Sequence, residues 1–153
     1  MPATDIFQHR HLLRIEDYEF QDGNGTRDKY MIVLAKNDTE AFVLHTLTTS
    51  NPNGVNPPKK GCNQAGKISY FYFPKDDVVG ENHFAFPSDT FIFFSGNIRR
   101  ESLNSLSKYP SEKIELKDLL NKVEFKSLLD CMLYSDFVNA EQADMLTKAK
   151  NLI

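Results

Sequence analysis

Residues Gln21 to Ser50, QDGNGTRDKYMIVLAKNDTEAFVLHTLTTS, decide the fold. Asp22-Gly23-Asn24-Gly25 signals a turn, because Gly and Asn enter positive φ cheaply. Lys29 to Ala35 is a short apolar run between turn residues, the pattern of a strand buried on both faces. Lys36 to Thr39 turns the chain, and Ala41 to Thr48 returns as the partner strand. In an antiparallel pair the start of one strand lies beside the end of the next. Arg27, ahead of the first strand, and the hydroxyls Thr46, Thr48, Thr49 and Ser50, closing the second, are therefore expected at one rim of a small sheet.

Toward the N-terminus, His11 to Phe20 reads as a strand with one buried face. Residues 1–10 read as a polar, frayed end, with His9, Arg10 and His11 a solvated basic arm. Beyond Ser50, the stretch to Gly66 is rich in Asn, Pro and Gly and reads as an irregular loop of the kind that carries function. Lys59, Lys60, Lys67 and Lys75 fall between Asn51 and Lys75 with no acid among them, and the aromatic strand Ser69 to Phe73 follows. Two readings stand side by side. Lys59, Lys60 and Tyr70 line a groove for single-stranded RNA, giving charge for phosphates and a face for stacking; or a solvated loop leads into a core strand.

Asp76 to Ser88 is a further loop, with His83 a surface residue. Asp89 to Ser95 is a strand, and Glu101 to Ser107 has room for one helical turn. Leu116, Leu119, Leu120 and Val123 follow helical spacing, and Phe125 to Tyr134 continues with Leu128, Leu129, Met132 and Leu133. Asn139 with Gln142 forms a capping box for a last helix to about Leu152, burying Met145, Leu146 and Ala149. The class is α+β in a single domain spanning 1–153: a strand-rich part at about 11–106, then a helical region at about 112–153.

The 153 residues, 41% hydrophobic and 25% charged, suit one globular core. A net charge of −3 offers no global basic field, so an RNA ligand needs a local patch. Two cysteines, Cys62 and Cys131, make no disulfide framework and read as reduced thiols. No apolar run reaches membrane-span or signal-peptide length. The expectation is a soluble, cytoplasmic protein without membrane contact.

No Walker loop, GxGxxG, nucleophile elbow or HExxH occurs, and no Cys/His spacing suits zinc. Neither a metal nor a cofactor is expected. Cys62, among lysines, ranks low as a nucleophile because no fixed base accompanies it. Arg27 with Thr48 remains. RNA carries its own nucleophile, the 2′-OH, so cleavage needs no metal-activated water. Arginine suits the charge that builds on phosphate, and a fixed hydroxyl orients the reacting groups.

GNGTR, a strand, a turn, a strand ending in LTT, and later DTFIFFSGNIRRESL together resemble the MazF/PemK family of toxin endoribonucleases. The likeness covers roughly Leu12 to Leu106. It implies an SH3-like small antiparallel barrel with C-terminal helices, a homodimer, and a small antitoxin protein as partner. It also implies metal-independent cleavage of single-stranded RNA by 2′-OH transesterification, the toxin half of a type II pair. Arg27 and Thr48 fall on the family's catalytic arginine and threonine, and Arg99 lies in its later segment as an RNA contact. Where the family has Pro, this chain has Asp28, a carboxylate able to pair with Arg27. The alternative is a non-catalytic SH3-like module binding RNA or a protein.

Overall fold

The computed structural model describes residues 4–20, 25–56, 59–65 and 68–153. Most of the turn expected at Asp22 to Gly25, and Lys67, lie outside them. Eight strands and three helices follow in chain order: β1 His11–Glu19, β2 Thr26–Asn37, β3 Phe42–Leu47, β4 Gly61–Ala65, β5 Ile68–Phe73, β6 Thr90–Phe93, β7 Arg99–Ser102, α1 Leu103–Leu106, β8 Ile114–Leu119, α2 Lys122–Tyr134 and α3 Ala140–Asn151. The class is α+β, and every strand pairing is antiparallel.

The strands form two sheets, β7-β3-β2-β1-β8 and β4-β5-β6, which do not close into one barrel. β2 is the middle strand of the larger sheet. Its Met31, Ile32, Val33, Leu34 and Ala35 are all buried, because both faces of that sheet are covered. Ile32 and Leu34 join a core with Phe71, Phe86 and Ile92 of the loop-and-sheet layer and Phe125, Leu128 and Leu146 of the helices. Met31 and Val33 join a second core with Phe7, Leu13, Ile15, Leu106 and Ile114. The register shifts between Val33 and Ala35, leaving Leu34 as a bulge.

The sheets meet where β3 ends. Thr49 N donates to Phe91 O at 2.9 Å and Phe91 N donates to Thr49 O at 2.8 Å. That single bridge carries the chain from the larger sheet to the smaller.

Several expectations need correction. Ile114–Leu119 is a strand, not the start of a helix: it pairs with β1 and satisfies that strand's outer edge. Leu116 and Val123 of the supposed helical stripe are 42% and 76% exposed. The long loop after Ser50 yields to β4 at Gly61. The N-terminal segment is not frayed over its described part, since Phe7 is fully buried and Arg10 nearly so. Arg10 Nε donates to Leu120 O at 3.1 Å, tying the start of the chain to the end of β8. Cys62 and Cys131 are joined in a disulfide rather than reduced, because β4 packs against α2 and brings together residues 69 apart in sequence. Asn139 caps α3 as read, with Gln142 completing the box. Among the described residues, no helix is long and apolar enough to cross a membrane.

Asp118 on β8 is buried and organises the loop before β6. It accepts hydrogen bonds from Asn82 N at 2.9 Å and Phe84 N at 3.0 Å. Burial pushes its carboxyl up, but these backbone donors outweigh burial and hold it below the usual range. A carboxylate depressed in the folded state stabilises above its ordinary value and loses that contribution as pH falls through the lowered one. Asp118→Asn is expected to cost roughly 2 kcal/mol at neutral pH. The gap from wild type, read by urea unfolding, should narrow below about pH 4. Separately, reduction of the disulfide should lower stability by about 2–4 kcal/mol, and the unreduced folded protein should show no titratable thiol.

Candidate functional site: a cationic groove at the sheet junction

The rim of β2 carries Arg27 and Lys29 two residues apart, so strand alternation puts them on one face. Arg99 opens β7 and approaches the same place from the other side of β3. Arg27, Lys29, Tyr30, Thr48 and Thr49 line a cavity of about 360 Å³. Lys29, Thr48 and Thr49 also line a second cavity, of about 240 Å³, with Phe20, Asn97 and Arg99. The shared residues make the two one groove running along the sheet junction.

Lys29 sits at its centre. Its Nζ donates to Thr48 O at 3.0 Å and lies 5.9 Å from the centre of the Phe20 ring. Burial, then the charges of Arg27 and Arg99, push this ammonium below the usual lysine range. The shift reports that three cations share a small, half-desolvated volume.

Neighbouring acids are engaged elsewhere. Asp28, which also lines the first cavity, accepts from Arg14 at 2.9 Å and from Asp17 N at 3.0 Å. Glu19 pairs with Lys108 at 3.2 Å. Glu101 points inward, 2.9 Å from His45 Nε2 and 2.9 Å from Ser105 Oγ. Burial lowers the His45 pKa, which favours the neutral ring as donor to the Glu101 carboxylate. Among the described residues, no carboxylate lies within ion-pair distance of Arg27, Lys29 or Arg99.

Asn97 aims Arg99. Its Nδ2 donates to Leu47 O at 2.8 Å, and its Oδ1 accepts from Leu47 N at 3.1 Å and Arg99 Nε at 3.1 Å. The preceding turn is closed by Asn97 N donating to Phe94 O at 3.0 Å, with Gly96 at φ 65°. Phe20 is held from behind by Tyr18, edge-on at 5.6 Å, and Tyr18 stacks on Tyr109 at 5.8 Å.

The residues expected from sequence divide sharply. Arg27, Thr48 and Arg99 are brought to one groove. Thr48, however, is only 4% exposed. Its N–H donates to Tyr30 O at 3.1 Å, which places it on Tyr30's face of the sheet rather than Arg27's. It serves the groove through its carbonyl, by fixing Lys29. Lys60 is committed to Asp77 and Glu124, at 2.5 Å each. Tyr70 is 3% exposed, its ring packed on Phe91 and Phe93, so it presents no face to a base. Lys59 is exposed, next to Lys60 and outside the residues that line the groove. Lys29 and Asn97 join the site without a sequence motif of their own. The available signal was the i, i+2 pair of cations at a strand end facing the end of its partner strand.

No family model, no curated protein and no solved structure matches this chain.

If the groove binds phosphates, affinity for a short single-stranded oligoribonucleotide should fall with salt. Lys29→Met and Arg99→Met should each lower the slope of log K against log salt by about 0.7. Binding should also weaken at alkaline pH below the range where an ordinary lysine titrates, because Lys29 loses its charge early. Anisotropy titrations at several salt concentrations and pH values measure both.

Proposed function

We propose that the protein is a metal-independent endoribonuclease acting on single-stranded RNA, the toxin component of a type II toxin–antitoxin pair. The observation that carries this reading is the groove in which Arg27, Lys29 and Arg99 converge without a competing carboxylate among the described residues. A phosphodiester is the anion that such a cluster suits, and aromatic Phe20 beside it suits a stacked base.

The 2′-oxygen attacks the adjacent phosphorus, forming the 2′,3′-cyclic phosphate, and the bond to the 5′-oxygen breaks. Arg27 and Arg99 neutralise the charge that grows on the phosphate oxygens. Lys29, held by the Thr48 carbonyl, adds a third positive charge to that phosphate, and the 2′-OH proton passes to solvent in the open groove. The departing 5′-oxygen takes a proton from solvent, to which the groove is open. Thr48 acts as a positioning residue through the carbonyl that holds Lys29. On the same reading the two sheets are the opened halves of an SH3-like barrel. The protein pairs as a homodimer and is silenced by a small antitoxin occupying the groove.

Burial of the Thr48 hydroxyl favours a second reading, a module that binds RNA without cutting it. Incubation with single-stranded RNA in EDTA separates the two. The first expects cyclic-phosphate ends from the wild type, a loss of at least about a hundredfold in Arg27→Ala and in Lys29→Ala, and little change in Thr48→Val. RNA left intact by a folded wild type that still binds it would transfer the case to the second.

A further inference from the structure

A third cavity continues the groove away from the cations. It holds about 230 Å³ and is lined by Asn53, Val55, Ile68, Ser69, Phe93, Ser95 and Phe137. Asn53, Phe93 and Ser95 belong also to the neighbouring cavity that contains Lys29 and Arg99. The wall is mainly apolar and aromatic. Ile68, part of this lining, is 47% exposed, so the wall opens to solvent there.

The rim is built rather than loose. Thr49 Oγ accepts from Asn51 N at 3.1 Å, and Asn51 Oδ1 accepts from Asn53 N at 2.9 Å. Val55 N then donates to Pro52 O at 2.9 Å across Asn53 and Gly54, both at positive φ. This is the φ signature of a type I′ turn, which Asn-Gly adopts with little strain. It sets the Asn53 amide, a donor and an acceptor, at the edge of the apolar wall. Phe93 is fixed from behind by Tyr70 at 5.5 Å and Phe91 at 5.8 Å.

We propose that this pocket receives one nucleobase of the strand whose phosphates lie on Arg27, Lys29 and Arg99. The argument for a base, rather than another apolar group, is continuity: the pocket and the cationic groove share Phe93 and Asn53, so a flat apolar group joined to an anion fits both at once. A flat apolar wall with a few side-chain amide and hydroxyl groups at its edge is what a base needs, faces for stacking and an edge for hydrogen bonds. Asn53 and Ser95 are then the groups that choose which base. This proposal rests on the RNA reading of the groove.

The test compares a fluorescent single-stranded oligoribonucleotide with a set carrying one abasic ribose, moved stepwise along the strand. With wild-type protein, one abasic position is expected to weaken binding about tenfold, the effect of losing a stacked base. Ile68→Glu, which puts a carboxylate in the pocket lining on an already exposed position, should weaken the intact strand by a similar factor and erase the abasic penalty. Its melting temperature, compared with wild type, confirms that it folds. Arg27→Ala should weaken intact and abasic strands alike. If every abasic strand binds wild type as the intact one does, or if folded Ile68→Glu binds the intact strand normally, the base pocket is overturned while the groove stands. If wild type binds no strand at all, the groove reading falls and the pocket with it.

Discussion

The structure depends on the reciprocal pair of hydrogen bonds between Thr49 and Phe91. The last bond from this segment to β2 is Thr48 N to Tyr30 O, and the chain must then leave the larger sheet without exposing backbone polar groups inside the core. Pairing at once with β6 solves that problem. It also brings the end of β3 close to Phe93 and the loop before it. The groove is the unfilled space at this handover, and Lys29, bonded to the carbonyl of Thr48, stands at its midpoint.

The handover explains the electrostatics. Cations at strand rims are ordinarily solvated and paired with nearby acids, where they contribute little. Here the described acids nearest in sequence have partners of their own: Asp28 pairs with Arg14, Glu19 with Lys108, Glu101 with buried His45 and Ser105. A local positive region results on a chain whose net charge is −3. Burial first, and then the neighbouring charges of Arg27 and Arg99, hold the Lys29 pKa below its ordinary value. Such an arrangement is more readily understood as a site than as a structural device.

Much of the fold was legible because local patterns agreed with the tertiary outcome. The apolar run 31–35 demanded cover on both faces and receives it from two cores. The Asn139–Gln142 box is a local signal, and no tertiary contact overrides it. The failures were tertiary. Leu116, Leu119, Leu120 and Val123 have helical spacing, yet the open edge of β1 required a partner, and strand pairing prevailed. Cys62 and Cys131 meet because β4 packs on α2, which spacing in the chain does not announce. Of the site, the residue types at the rim pointed to Arg27 and Thr48. Lysine density pointed to Lys60, which pairs with two acids distant in sequence, and aromatic content pointed to Tyr70, which the smaller sheet buries. Lys29 was hidden as the first letter of an apolar run, and Asn97 as a turn residue.

The order of strands in the larger sheet has a consequence for how the protein can diversify. β3 pairs directly with β7, although the whole smaller sheet lies between them in the chain. Residues 50–98 are thus an excursion that departs from and returns to adjacent edges of a sheet complete without it. Arg27 and Lys29 reside on the frame; Ile68, Phe93 and the Asn53 turn reside on the excursion. Exchange of the excursion short of Asn97, which aims Arg99, would replace the wall formed by Ile68, Phe93 and the Asn53 turn as one contiguous cassette and keep Arg27, Lys29 and Arg99 in the frame.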